Sequence, residues 1–360
     1  MYYFLISLFL CSIRMSIIAL AYLFVTPLLM KRYAVKWCYY TWLIIVLGYA
    51  IPYSSYFKLS FVKPSFLFHL HQNIHGNLEL ATTSGFINVR VYQITGIIWL
   101  CGVVLFMIYY GIRHYRFLTM VNRWGVEATD LQMLSILEQM RDKVKVKRQI
   151  KLKLCPFITS PMMTGVFKPV ILLPSKSYSA HELSFILNHE LVHYKRRDLW
   201  YKGLVVFTNA IHWFNPVVYI MAKAIASQCE ISCDAEVVKD RQLRERHQYS
   251  QAIIGVIKYQ SRLHTIFSSN FNGGIKDLKK RILSIMDTGR KKAGIVVLCI
   301  VVLATATVNT IFGKDITTPI NSDYSVLRKS KIISEEIIID SDKGIRRKID
   351  EKEYIGNKYL

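Results

Sequence analysis

Acidic residues are scarce in this chain of 360 residues: 24 Asp plus Glu face 47 Lys plus Arg, leaving a formal charge of +23. Such an excess of cations raises nucleic-acid binding as a function. No recognisable nucleic-acid module is present, however, and the cations lie largely between apolar stretches rather than on one tail or stripe. Direct nucleic-acid binding is therefore not expected. A cysteine framework is missing too. The seven cysteines, an odd number, fall mostly in apolar stretches or in the basic segment, so no set of disulfides is implied. The N-terminal stretch has neither a basic leader nor a small-residue cleavage site, so no removable signal peptide is expected. What remains is 52% hydrophobic with a mean hydropathy of +0.26. Together with the charge, this points to membrane spans with basic flanks.

Residues 1–53 read as two transmembrane helices. The first, over 2–30, is apolar apart from Arg14, with Pro27 near its end, and is long enough for about 30 Å of hydrocarbon. Lys31, Arg32 and Lys36 form a short basic loop before the second span at 37–53, whose early Tyr and Trp residues suit the interface. Residues 54–93 read as an extracytoplasmic loop, with His69, His71 and His75 as ordinary loop residues. Its Ser55-Tyr56-Phe57-Lys58 matches the Ser-x-x-Lys of penicillin-binding enzymes, but the partner motifs Ser-Asp-Asn and Lys-Thr-Gly are absent, so the match is coincidental. A third span is expected at 94–112. Residues 113–292 carry 30 Lys plus Arg against 14 Asp plus Glu. The positive-inside tendency puts that segment and the 31–36 loop in the cytoplasm. A fourth span at 293–313 follows Arg290, Lys291 and Lys292, and residues 314–360 form a short extracytoplasmic tail. The expected fold is a polytopic α-helical membrane protein of about four transmembrane helices with a cytoplasmic, mainly-α, α+β domain.

One stretch of that domain carries chemistry: His189-Glu190-Leu191-Val192-His193. On a helix the two histidines lie one turn apart on one face, so both imidazoles can reach one metal ion. Glu190 projects beside them, where its carboxylate can take a proton from a water that the metal activates. Two imidazoles with an open position suit Zn2+, which lowers the pKa of water to about 7 in catalytic sites. An amphipathic helix with two surface histidines is the plainer reading of the motif alone.

A third ligand must come from elsewhere. Gln228-Cys229-Glu230-Ile231-Ser232-Cys233-Asp234 contains no Gly or Pro and sets Glu230 and Asp234 on one face. Glu230 is the candidate ligand, and Asp234 the candidate partner for the far nitrogen of a ligand histidine. A solvated acidic face is the alternative; acidity inside a basic segment with apolar flanks favours the ligand. Two thiolates added to two imidazoles would close the zinc shell, so Cys229 and Cys233 read as buried thiols.

Around these motifs, 128–144 reads as an amphipathic helix and Lys145–Leu154 as a strand. Residues 160–174 read as a turn and a short strand bounded by prolines, a sheet edge able to pair with an extended peptide or, equally, part of an ordinary structural hairpin. Ser179 with Glu182 suits a capping box for the metal-site helix. Residues 199–226, broken at Trp213-Phe214-Asn215-Pro216, read as two helices packed against or dipping into the membrane, the second delivering Glu230, with a full extra pair of spans as the alternative. Residues 240–263 look helical and basic. Residues 265–274 read as a flexible stretch before a basic helix at 275–287, an ordinary surface turn being the plainer use of such residues and a site where the protease cuts itself the sharper one. Tyr249 and His247 are oxyanion-stabilising candidates by residue type.

The four spans, the HELVH core, Arg197-Asp198 after it, the His212–Pro216 break and the Cys229–Asp234 run together resemble the BlaR/MecR family of β-lactam sensor-transducer metallopeptidases. The Pro161–Pro174 stretch and Phe271-Asn272 before a basic helix are similar as well. The resemblance, covering roughly 1–313, implies a gluzincin-like zinc peptidase in which His189, His193 and Glu230 bind zinc, Glu190 is the base, and Asp198 and Asp234 support the ligands. It also implies signalling proteolysis at the bacterial cell membrane: cleavage of itself and of a transcriptional repressor of resistance genes. Family sensors carry an outward-facing penicillin-binding domain after the fourth span, whereas 47 residues follow it here. Signal input is therefore expected from a sensor partner, a homodimer, the 54–93 loop or the tail. Two other functions fit the same residues: a membrane quality-control zinc protease, and a non-enzymatic membrane signal transducer.

Overall fold

A computed structural model describes residues 2–50, 85–263, 271–289 and 291–313. The 54–84 part of the expected loop, with its histidines and Ser-x-x-Lys match, and the 314–360 tail lie outside the described residues.

Three helices open the chain: α1 (Tyr2–Arg32), α2 (Val35–Ala50) and α3 (Gly85–Trp124). Two stretches are long and apolar enough to cross a membrane, Phe4–Arg32 and Gln93–Trp124. The third helix is longer than the expected span at both ends. It begins at Gly85, inside the segment read as loop, and runs past 112 to Trp124 because no breaker interrupts its polar extension before Gly125. A last helix, labelled α10 below (Ile295–Gly313), is apolar over Ile295–Thr307. Its start is tied to the α1–α2 turn: Ala34 N–H donates to the Lys292 carbonyl at 3.0 Å, and Lys292 N–H donates to the Arg32 carbonyl at 3.1 Å. The basic flanks of these helices thus lie together.

After α3 comes a four-stranded sheet, β1 (Val126–Glu127), β2 (Lys151–Cys155), β3 (Met162–Thr164) and β4 (Val170–Pro174), in the order β1-β2-β4-β3. Strands β2 and β4 run parallel at its centre, and β1 and β3 pair antiparallel at the edges. The expected strand over 145–154 is corrected: only its second half pairs. Helix α4 (Leu131–Val144) ends with Lys145 in the left-handed region at φ 61, which turns the chain out of any extended run. Val146 and Ile150 are buried, so the alternation there reflects anchoring to the core, not strand pairing. Residues 160–174 form the structural hairpin, with β3 and β4 as its two strands. They are joined through Gly165 at φ 80, where an added Cβ would lie 2.1 Å from the Lys168 carbonyl oxygen, so only glycine fits.

Five helices complete the description: α5 (Ala180–Lys195), α6 (Asp198–Ile211), α7 (Pro216–Val237), α8 (Leu243–Leu263) and α9 (Phe271–Met286). Ser179 caps α5 by accepting from Glu182 N–H at 3.2 Å, but the reciprocal half of the capping box is not made. Glu182 instead takes Lys176 Nζ at 2.8 Å. Asn215 caps α7 by accepting from Val217 N–H, with Pro216 in the first turn. Helix α9 starts at Phe271, taking in Gly273 and Gly274. The stretch read as flexible is therefore helical from 271 on, and its 265–270 part lies outside the described residues.

Two apolar cores result. One gathers the sheet with α4, α5, the C-terminal end of α7, α8 and α9, through Leu152, Ile171, Leu187, Leu191, Val237 and Ile285. The other gathers α1, α2, α6, α7 and α10, through Met15, Tyr39, Trp42, Val205, Met221 and Val301. The α6–α7 hairpin is wedged among the apolar helices. Asn215 Nδ2 donates to Ser12 and Ser16 Oγ, each at 2.7 Å, and Trp99 Nε1 donates to the Ile211 carbonyl at 2.9 Å. Gly102 on α3 lets the Trp213 ring approach, since a Cβ there would sit 2.2 Å from it.

Candidate metal centre

Helix α5 is buried along its second half, from Leu187 to His193. Apolar neighbours Leu187 and Leu191 fix its roll against the sheet, and that roll turns His189 and His193 toward α7. Glu230 meets them there. His189 Nε2 and His193 Nε2 are 3.1 Å apart, and the Glu230 carboxylate oxygens lie 3.4 and 3.5 Å from them. Donor atoms about 2.0–2.1 Å from a tetrahedral zinc are separated by roughly 3.3 Å, so these three contacts match the edges of such a site.

The far side of each imidazole is also held. His193 Nδ1 is 2.7 Å from Asp198 Oδ2, and Asp198 in turn accepts from Tyr39 OH at 3.0 Å. His189 Nδ1 is 2.8 Å from Tyr249 OH and 3.2 Å from Asp234 Oδ1. Each ring therefore turns Nε2 toward the common centre, and a carboxylate stands behind both Nδ1 atoms. Arg281 on α9 locks Asp234 with Nε at 2.7 Å and Nη2 at 2.9 Å, and its Nη1 lies 3.4 Å from Glu230.

The electrostatics follow from these contacts. Burial works against ionisation of Asp234, but Arg281 and His189 outweigh it and hold its pKa at about 2. Burial opposes the Glu230 charge as well, and the two histidines and Arg281 keep its pKa well below the ordinary carboxylate range. For His189 and His193 burial disfavours the cation, while the surrounding thiol, hydroxyl and carboxylates raise both pKa values. Such a site attracts positive charge, whether as protons or as a metal.

His189, Glu190, His193, Asp198, Glu230 and Asp234, each singled out from the sequence, thus converge. Glu190 is buried and lines the same cleft, a cavity of ≈ 340 Å³ between α5, α8 and the edge strand β3. Its apolar wall includes Phe185, Ile186, Ile253 and Val256, and Met162 and Met163 contribute from β3. A family model, that of the BlaR1 peptidase M56, matches residues 6–285. The chain belongs to this M56 peptidase family. It is 26% identical over 305 residues to the methicillin resistance mecR1 protein of Staphylococcus aureus, covering 77% of this chain and 51% of that one. Against the regulatory protein BlaR1 of Bacillus licheniformis it is 29% identical over 159 residues, 43% of this chain and 26% of that one. The corresponding BlaR1 of Staphylococcus aureus is 28% identical over 222 residues, 56% and 38% of the two chains. The M56 chain therefore aligns with about half or less of the length of these relatives.

Both cysteines beside the M56 site are buried. The Cys233 thiol donates to the His189 carbonyl at 3.4 Å, and Cys229 Sγ lies 3.8 Å from His193 Nδ1, the nitrogen that Asp198 already holds. Either sulfur is near enough to the histidines to suggest a ligand. The Glu230 oxygens, by contrast, approach both Nε2 atoms, at 3.4 and 3.5 Å. The two oxyanion candidates differ in placement: Tyr249 lines the cleft, buried beside His189 and donating to Asp234 at 2.7 Å, while His247 is exposed and does not line it. Arg281 and Lys202, both of which line the cleft, were not singled out from the sequence. Arg281 stands 47 residues from Asp234, so no local spacing marks the pair.

Proposed function

We propose that this chain is a membrane-bound zinc metalloendopeptidase of regulatory signalling, its protease half on the cytoplasmic face, cutting itself and a protein substrate such as a transcriptional repressor. The observation that carries the reading is the meeting of His189, His193 and Glu230 around one point, with Glu190 beside it in a cleft bordered by a sheet edge. His189, His193 and Glu230 hold the metal; when bound, zinc supplies Lewis acidity that polarises the scissile carbonyl and acidifies water. Glu190 accepts the proton of the attacking water and delivers it to the leaving amine. Asp198 and Asp234, the latter with Tyr249 and Arg281, keep the two imidazoles in the tautomer that offers Nε2. Strand β3 pairs only with β4 among the described strands, and its outer edge suits an extended peptide laid along it. The basic ends of α1, α2 and α10 lie together, which supports a cytoplasmic position for that end under the positive-inside tendency. The relatives' printed roles, regulatory and methicillin resistance, support signalling in antibiotic resistance as the setting.

The test compares membranes carrying the wild-type chain or Glu190→Gln, with and without a cell-wall antibiotic. The expected result is antibiotic-dependent shortening of this chain and of a few other proteins in the wild type, reduced by about 10²–10⁴-fold in the variant. An unchanged cleavage pattern in Glu190→Gln would remove Glu190 from the base role.

A further inference from the structure

A second cavity, ≈ 560 Å³, opens on the other side of the α5–α6 turn. Its charged lining is entirely cationic: Lys145, Lys147, Arg148, Lys195 and Arg197, with no Asp or Glu among the lining residues. All five are exposed, and none forms an ion pair with a carboxylate among the described residues. Lys145 and Arg197 are also the two described non-glycine residues in the left-handed backbone region, at φ 61 and 58, and the left-handed Gly165 lines the same cavity. A long cationic side chain is an unfavourable choice for that conformation, which glycine or asparagine adopts more readily.

The mouth of the cavity is aromatic. Phe167, at the tip of the β3–β4 hairpin and 73% exposed, meets Trp200, 56% exposed, edge to face at 5.8 Å. Arg148 donates to the Phe167 carbonyl and so holds the hairpin tip against the basic wall. Trp200 sits in the first turn of α6, and the packing of α6 fixes its depth. At this end Tyr39 reaches Asp198 and Tyr201 OH donates to the Tyr39 carbonyl at 3.4 Å. At the far end His212 Nε2 meets the Tyr49 carbonyl at 3.1 Å. Helix α6 therefore runs alongside α2, and Trp200 lies in the layer of Tyr39, a turn from the basic Lys31–Lys36 flank. Beyond it, Phe207 continues the exposed apolar face of α6, and Gly203 leaves open space between.

From this arrangement we infer that the second cavity binds the phosphate headgroup of an anionic phospholipid, with Phe167 and Trp200 seated in the interfacial region of the bilayer. Unpaired cations beside exposed aromatic rings, at the level where an apolar bundle meets its basic flank, complement a negatively charged headgroup joined to acyl chains. A soluble acidic peptide would satisfy the cations but leave Phe167, Trp200 and Phe207 in water. The inference rests on the membrane placement of the apolar helices and not on the peptidase reading, so either can fail alone.

The full-length chain, purified in a neutral detergent, would be titrated with phosphatidylglycerol, phosphatidylcholine and inorganic phosphate, with bound molecules counted by native mass spectrometry. Phosphatidylglycerol should be retained at least tenfold more tightly than phosphatidylcholine, and millimolar inorganic phosphate should not displace it. The variant Lys147→Gln/Lys195→Gln, which leaves the left-handed positions intact, should lose most of that preference, whereas Lys279→Gln/Lys280→Gln on α9 should keep it. In parallel, wild-type chain in lipid nanodiscs should show Lys145, Lys147 and Lys195 protected from acetylation by phosphatidylglycerol relative to phosphatidylcholine. Equal retention of both lipids, displacement by inorganic phosphate, or an unchanged preference in Lys147→Gln/Lys195→Gln would each overturn the assignment.

Discussion

The two cores of this chain handle buried polarity differently. In the sheet-bearing half, the polar groups behind the metal centre form one connected set: Arg281 grips Asp234, Asp234 accepts from Tyr249, and Tyr249 reaches His189. In the half built on α1, α2, α6 and α7, several buried polar atoms lack a hydrogen-bond partner among the described residues, including Trp42 Nε1, Thr208 Oγ1, Asn209 Oδ1 and His212 Nδ1. The centre lies on the seam between them. Cys229 belongs to one core and Cys233, one turn on, to the other, with Glu230 between. Two independently packed regions therefore fix the distance between the histidines and Glu230, and either can spoil it.

The sharpest way to break the comparison is Arg281→Met. It leaves the fully buried Asp234 without its cation, and loss of one partner of a buried ion pair costs about 3–5 kcal/mol. Denaturant unfolding in mixed micelles should show that loss. The same pair predicts an acid limit. Asp234 has its pKa lowered from 3.8 to about 2, so its contribution is complete above about pH 4 and disappears as pH falls through about 2. In Arg281→Met that acid transition should move to higher pH. Next in size is Asp198→Asn, which removes the carboxylate behind His193 and should weaken metal affinity about 10–100-fold, read by competition with a chelator. On the other side of the seam, Asn215→Ala loses both the cap of α7 and its bonds to Ser12 and Ser16, and should cost about 1–2 kcal/mol. Smallest is Thr208→Val, which removes a buried hydroxyl with no partner; stability should hold or rise by up to ~1 kcal/mol. A large loss in Thr208→Val would show that the two halves are equally dependent on their polar groups.

How much of this was legible in the sequence depended on whether the signal was local. The i, i+4 spacing of His189 with His193, and of Glu230 with Asp234, is carried by helix periodicity and needs no tertiary knowledge. Asn215 and Pro216 mark a helix start by their own chemistry. The strand over 145–150 was misread because Val146 and Ile150 alternate with polar residues while Lys145 has already left the extended region. The hydropathy of α3 fades at 112, yet backbone hydrogen bonding continues to Trp124, since exposed polar residues are as helical as apolar ones. Arg281 carries no local mark, because its role exists only once α9 packs against α7.

The central claim is that His189, His193 and Glu230 share one cation, and metal content of the purified full-length chain tests it most directly. Wild type and Glu190→Gln should each hold close to one zinc per chain after dialysis, while His193→Ala and Glu230→Ala should fall far below that. Full zinc in Glu230→Ala, or none in the wild type, would contradict the account.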